Sequence, residues 1–235
     1  MKYTCGIFSI VIFLTTLLIS CEKQAPPCTG NCAEINANGK IINKLDGTIA
    51  PTVPVELSWI TFVGGFSKSE VIVTVNSKPD GSFNFTTNID TSFFSKGYFL
   101  SLSVGSCSNY MILGYSGVIG TRMYTFDTTA FQNIQFEVYP KAILKLTLQR
   151  TLTDSFQSYS ISHSNVNNIF YIYDYNIGSQ NEITGSKTKV INVETVANVY
   201  TKIRIEKDFA NGTSFKTLDS IKCFSNSTNN YIVSY

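Results

Sequence analysis

From Ile35 onward the chain repeatedly alternates apolar and polar residues with a period of two, the spacing that sends successive side chains to opposite faces of a strand. The clearest stretch runs from Ile35 to Phe85. It opens on Gly39-Lys40-Ile41-Ile42 and turns at Asp46-Gly47. It then places Val53, Val55, Leu57 and Trp59 on one face and Pro54, Glu56 and Ser58 on the other. Val71, Val73 and Val75 return to a turn at Pro79-Asp80-Gly81, followed by Ser82-Phe83-Asn84-Phe85. The pattern predicts strands over 39–43, 53–62, 70–76, 82–86, 98–104, 110–114 and 122–126.

The second half opens on Ile134-Gln135-Phe136-Glu137-Val138-Tyr139. Beyond Pro140, Ala142, Leu144, Leu146 and Leu148 share one face, so the pair reads as a hairpin broken at the proline. A polar stretch from Asp154 to Ser164 reads as a connection, and Phe170 to Tyr175 as a strand. Further strands are predicted over 188–196, 199–207, 216–224 and 230–235, with Asn211-Gly212 as a hairpin turn. No internal repeat relates the two halves.

The first residues follow another rule. Lys2 precedes an apolar run from Ile7 to Ile19, too short for the ~20 residues that span a bilayer and suited to a secretory signal. The run ends in Leu18-Ile19-Ser20-Cys21, which resembles the bacterial lipobox: a Leu three residues before a Cys and a small residue just before it. That resemblance implies cleavage at residue 20, acylation of Cys21, and attachment of the protein to a membrane through that lipid, the bacterial outer membrane being the expected location. Residues 21–34, with Pro26-Pro27 and no hydrophobic period, read as a linker.

Composition supports an all-β class. Alanine occurs eight times in 235 residues, whereas Thr, Val, Ile, Tyr and Phe, which suit pleated surfaces, are abundant. The mature length suits two tandem β-sandwiches, expected over 35–131 and 132–235. A formal charge of +2 without a basic stripe excludes a nucleic-acid partner. Once Cys5 leaves with the signal and Cys21 takes lipid, Cys28, Cys32, Cys107 and Cys223 remain. In an exported chain these read as two disulfides. Three pairings are open, with Cys28–Cys32 as a local bridge and Cys107–Cys223 between the halves as the expected set. A thiolate zinc site is the alternative, although only Cys28 and Cys32 are close in sequence.

The first half carries a second resemblance. Gly39-Lys40-Ile41-Ile42, Asp46-Gly47-Thr48, Val53-Pro54-Val55-Glu56-Leu57 and Asp80-Gly81-Ser82-Phe83-Asn84-Phe85 together look like the carboxypeptidase regulatory-like, or transthyretin-like, β-sandwich found in Bacteroidota lipoproteins. The resemblance covers about 90 residues and implies a structural or interaction module without catalytic residues. Ile49-Ala50-Pro51-Thr52 and the insertion from Gly64 to Lys68 depart from it.

Catalytic chemistry is sparse. The sole histidine, His163, lies in Ser162-His163-Ser164 and reads as a surface-loop residue. Glu206 and Asp208 stand two apart at a strand end, where paired carboxylates could serve glycoside hydrolysis, but no aromatic cleft pattern surrounds them. No phosphate loop, metal motif or dinucleotide fingerprint occurs, and no cofactor is expected. Asp127-Thr128-Thr129 and Asp219-Ser220-Ile221 resemble the acceptor for O-linked sugars on exported Bacteroidota proteins. Tyr171, Tyr173 and Tyr175 would form a row of phenols ~6.8 Å apart if the strand stays regular, either a contact surface or part of the core. The sequence thus points to a non-catalytic lipoprotein displaying β-sandwiches toward a protein or glycan, with an exported glycan-active hydrolase as the alternative.

Overall fold

The structure is a computed structural model that describes residues 28–113, 122–124, 129–149, 156, 158–166, 171–177 and 188–234, with backbone alone for 122–124 and 171–177. Its strands are β1 (Cys32–Asn43), β2 (Pro54–Val63), β3 (Phe66–Asn76), β4 (Ser82–Asp90), β5 (Phe99–Val104), β6 (Tyr110–Met111) and β7 (Arg122–Tyr124). There follow β8 (Ile134–Gln149), β9 (Ser158–Ser164), β10 (Tyr171–Ile177), β11 (Thr188–Val196), β12 (Tyr200–Asp208), β13 (Ser214–Lys222) and β14 (Asn229–Ser234). A single helical turn, α1 (Ser92–Ser95), is the only helix among the described residues. The chain is all-β, as its alternation predicts.

Three sheets form. One runs β11-β8-β1-β4, with β14 and β6 also on β8; the others run β3-β2-β5-β7 and β10-β9-β12-β13. Two apolar clusters fill the spaces between them. The first joins Ile35, Ile41 and Phe83 to Val55, Leu57, Trp59, Leu100 and Leu102. The second joins Leu144, Leu146, Leu148, Val193 and Val233 to Tyr159, Ile161, Ile203 and Cys223. The alternation at Val53, Val55, Leu57 and Trp59 holds, each being buried.

Strand β8 corrects the expected hairpin at Pro140. It is one strand of 16 residues whose even positions stay buried throughout, apart from the half-buried Pro140. Its first part pairs in parallel with β1, from Gly39 opposite Ile134 to Asn43 opposite Val138. Its last part lies between antiparallel β11 and parallel β14. Pro140 sits where the partners change. There its carbonyl accepts Ala197 N–H at 2.7 Å, and the next amide, Lys141 N–H, donates to the Asn109 carbonyl at 2.8 Å. A residue without an N–H is tolerated at a junction that asks nothing of that group. In consequence Phe131, Ile134, Phe136 and Val138 belong to the first core, and the second begins at Ala142.

Two other strands differ from expectation. In β3 the register with β2 shifts between Leu57 opposite Val73 and Ser58 opposite Val71, so Ile72 is an extra residue. This bulge breaks the simple Val71-Val73-Val75 face, since Ile72 and Val73 are both buried while Val71 is only half-buried. The polar stretch ending at Ser164 is not a connection from Ser158 onward but β9, paired on both sides by β10 and β12. Backbone pairing on both edges, not apolar content, makes it a strand.

Candidate functional site

The sheet containing β1, β4 and the start of β8 buries one face and leaves the other polar. Outward positions oppose each other as Asn36 with Thr86, Asn38 with Asn84, and Lys40 with Ser82. On the other side of β1, Lys40 stands opposite Gln135. These pairs form a field of carboxamides and hydroxyls, and its upper part deepens into a cleft of about 440 Å³ lined chiefly by Asn38, Lys40, Lys78, Asn84, Asn133 and Gln135.

Backbone geometry makes the cleft. At Gly39 a Cβ would lie 1.9 Å from the Ile134 carbonyl oxygen and 2.8 Å from Phe83 Cζ, so only glycine lets β8 and β4 close on β1 at this level. Asn133 enters β8 with φ of 55°, and its N–H donates to Asn38 Oδ1 at 2.8 Å. That bond fixes the Asn38 carboxamide. At the far wall Gly81, with φ of 73°, completes the turn, in which Asp80 Oδ1 accepts from Ser82 N–H at 3.0 Å and Ser82 Oγ at 2.7 Å. The Ser82 hydroxyl and amide hold the Asp80 carboxyl below the usual carboxylate range, with a smaller contribution from the charge of Lys78.

Charge around the cleft is one-sided. The next outward residue of β8, Glu137, is bound by Lys44, whose ammonium is held in its charged form by that carboxylate. No ion pair within 4.0 Å engages Lys40 or Lys78 among the described residues. The cleft therefore offers carboxamides and hydroxyls that donate and accept, and two exposed ammonium groups at its rim. That inventory suits a hydrated, hydroxyl-rich ligand.

The residues singled out in the sequence are dispersed. Cys21 and the preceding signal lie outside the described residues. Cys28 and Cys32 form a disulfide with Cα atoms 5.9 Å apart. The expected Cys107–Cys223 bridge is not formed, and both thiols are free. Cys107 lies in the loop after β5 with Thr52 O 4.0 Å from its sulfur, whereas Cys223 is buried in the second core. Burial pushes the Cys223 thiol up, partly offset by a hydrogen bond from Thr201 Oγ1 at 3.8 Å.

His163 is also a correction, since it sits within β9 opposite Ile203 and is 1% exposed rather than on a surface loop. Glu206 and Asp208 do share a face of β12, but both are engaged. Glu206 pairs with Lys216 at 2.8 Å, and Asp208 accepts Ser214 Oγ at 2.7 Å and Ser158 Oγ at 2.8 Å. Those two hydroxyls hold the Asp208 carboxyl below its ordinary range, the opposite of what a general acid in hydrolysis requires. Tyr171, Tyr173 and Tyr175 lie in β10, whose side chains are outside the described residues. The register of that strand shifts between Ile172 and Asp174, placing Tyr171 opposite His163 and Tyr175 opposite Ser160. The uninterrupted period of two behind a row of three phenols is therefore not kept. Of the sugar-acceptor motifs, Asp127 and Thr128 lie outside the described residues, and Ser220 is exposed on β13. Among the described residues no three His, Cys, Asp or Glu side chains come together as metal ligands. Nor is any described helix long and apolar enough to cross a membrane.

No protein-family model matches this chain, and no curated protein matches it. Solved structures do. The shaft pilin SpaA from Lactobacillus rhamnosus GG aligns over 86% of this chain and 97% of its own, with 10% identity and a TM-score of 0.32. A Streptococcal ancillary pilin aligns over 86% of this chain and 62% of its own, with 8% identity and a TM-score of 0.33. A leucine-rich repeat protein from Bacteroides thetaiotaomicron VPI-5482 aligns over 86% of this chain and 25% of its own, with 10% identity and a TM-score of 0.27. At such scores these likenesses carry no argument about activity or partner.

The carboxamide field was missed in the sequence because Asn36, Asn38, Asn84 and Asn133 are scattered. The available signal was the polar half of the β1 and β4 alternation, which reads as mere solvent exposure until the register sets the residues side by side.

Proposed function

We propose that this chain is a non-catalytic lipoprotein of the bacterial outer membrane, held by acyl chains on Cys21, whose first sandwich binds a glycan in the cleft between β4, β1 and β8. The observation that carries this reading is the cleft itself, where Asn38, Asn84, Asn133 and Gln135 present carboxamides beside Lys40 and Lys78. Sugar hydroxyls are matched by groups that both donate and accept, and the Asn38 carboxamide, already held by the Asn133 N–H, has less rotamer freedom left to lose on binding. The two ammonium groups favour a sugar that bears a carboxylate. The engagement of Glu206 and Asp208 in structural bonds supports binding without hydrolysis.

The test is calorimetry of the full mature protein with uronate-containing oligosaccharides and their neutral counterparts. Binding of the acidic sugars that weakens at least about tenfold in Asn84→Ala, a loss of one or two hydrogen bonds, is expected. An affinity unchanged by Asn84→Ala and Lys40→Gln together refutes the site.

A further inference from the structure

The two most exposed large apolar residues among those described, Phe66 at 80% and Val63 at 66%, face each other at the tip of the β2–β3 hairpin, with Phe62, 59% accessible, beside them. The turn itself is Gly64-Gly65, both with positive φ, and Val63 stands opposite Phe66 across it. Among the described residues, the ring contact at this tip is that of Phe62 with Phe99, centroids 6.4 Å apart. Exposed aromatic and branched residues gathered at one tip call for an occupant.

The direction of the strands says which end of the molecule this tip occupies. β1 starts at Cys32, opposite Asp90 at the end of β4, and the N–H of Thr91 donates to the Asn31 carbonyl at 2.8 Å. The chain continues into α1, where Phe93 and Phe94 pack on Trp59 with centroids 5.1 and 5.0 Å apart. Trp59 lies on β2 shortly before the tip. The tip therefore projects from the end of the first sandwich at which β1 begins and at which the Cys28–Cys32 disulfide sits. β8 leaves this sandwich the other way, since it runs parallel to β1, so the second core lies at the opposite end.

Cys28 follows Cys21 by seven residue steps, a tether of at most about 25 Å. On the reading that Cys21 carries lipid, the end bearing the tip is held against the bilayer. We infer that the hairpin tip Phe62-Val63-Gly64-Gly65-Phe66 is a second membrane contact, entering the lipid interface beside the acylated N-terminus and setting the orientation of the protein on the membrane. The occupant is a lipid surface. Phe and Val gain by leaving water for the acyl boundary, and Lys68 and Lys96, exposed at the same end, suit phosphate headgroups. Burying two or three such side chains is a weak contact alone but an effective one when the tether holds it in place.

The inference rests on lipidation of Cys21, and the experiment separates the two. The full lipoprotein, carrying Cys107→Ser and a fluorophore on Ser67→Cys, is reconstituted in phosphatidylethanolamine/phosphatidylglycerol vesicles containing shallow spin-labelled lipids. A second sample carries the fluorophore on Ala210→Cys, in the β12–β13 turn. Quenching at position 67 but not at 210, reduced roughly tenfold by Val63→Ser/Phe66→Ser with an unchanged melting temperature, is expected. Protein that floats with the vesicles while the label at 67 stays unquenched overturns the tip contact and leaves the anchor intact. A label at 67 shielded from aqueous iodide yet unquenched by lipid assigns the tip to a protein partner and likewise overturns it. Protein that fails to float refutes the lipid anchor, and the tip contact falls with it.

Discussion

Replacing Gly39 with Ala tests the joint at which β8 closes on β1. The added methyl would sit 1.9 Å from the Ile134 carbonyl oxygen and 2.8 Å from Phe83 Cζ. An ordinary carbon–oxygen contact is about 3.3 Å, so the two strands must part by more than an ångström or the carbonyl must rotate out of the ladder. Either response strains the parallel pairs from Gly39–Ile134 to Asn43–Val138 and loosens Phe83 from the Phe136 ring, now 5.9 Å away. Overpacking in a core typically costs about 1–3 kcal/mol, and this clash is against backbone, which relaxes least, so a loss of about 3 kcal/mol is expected. For a chain of this size that corresponds to a fall in melting temperature of roughly 6–12 °C, read by circular dichroism and checked against the urea midpoint. Gly30→Ala is the control, since its nearest neighbour is an Asp90 carboxylate oxygen at 3.5 Å. A Gly39→Ala protein that melts within about 1 °C of the parent would refute the register of β1 on β8, and with it the construction of the cleft.

Other measurements probe the remaining features. Alkylation of the folded, non-reduced protein should modify Cys107 and spare Cys223 until denaturant is added, with Cys28 and Cys32 reacting only after reduction; rapid labelling of Cys223 in the native state would contradict its place in the core. Asp46, Asp80, Asp90 and Asp208 all have carboxyls held below the ordinary range by local hydrogen bonds from Thr48, Ser82, Ser92, and Ser214 with Ser158. Because each folded pKa lies below the unfolded one, the unfolded chain binds more protons under acid conditions. Stability from these groups is present above the unfolded value near 4 and is lost as pH falls through the lower folded values. The urea midpoint should therefore fall below pH 4, less steeply in Asp80→Asn, and equal slopes in parent and variant would count against the Asp80 turn.

The all-β class, the inward row of Val53, Val55, Leu57 and Trp59, and the turn at Asp80-Gly81 were legible in the sequence. Each is local: a period of two, or a residue type demanded by one backbone conformation, is written within a few neighbouring positions. The lipobox resemblance of Leu18 to Cys21 is equally local, but it lies outside the described residues. What the sequence could not decide were matters of which strand meets which. Pro140 looks like a break until one sees that its missing N–H falls where β8 exchanges partners, and Ser158 to Ser164 looks like a loop until β10 and β12 pair with it. The bulges at Ile72 and between Ile172 and Asp174 change the parity of a face without leaving a signature in composition. Carboxamides 46 positions apart, Asn38 and Asn84, become neighbours only through the register of β1 on β4. That register is chosen by the burial of Ile35, Ala37, Ile41 and Phe83 on the opposite face, so the tertiary core, acting through residues that never touch the cleft, determines where the candidate site lies.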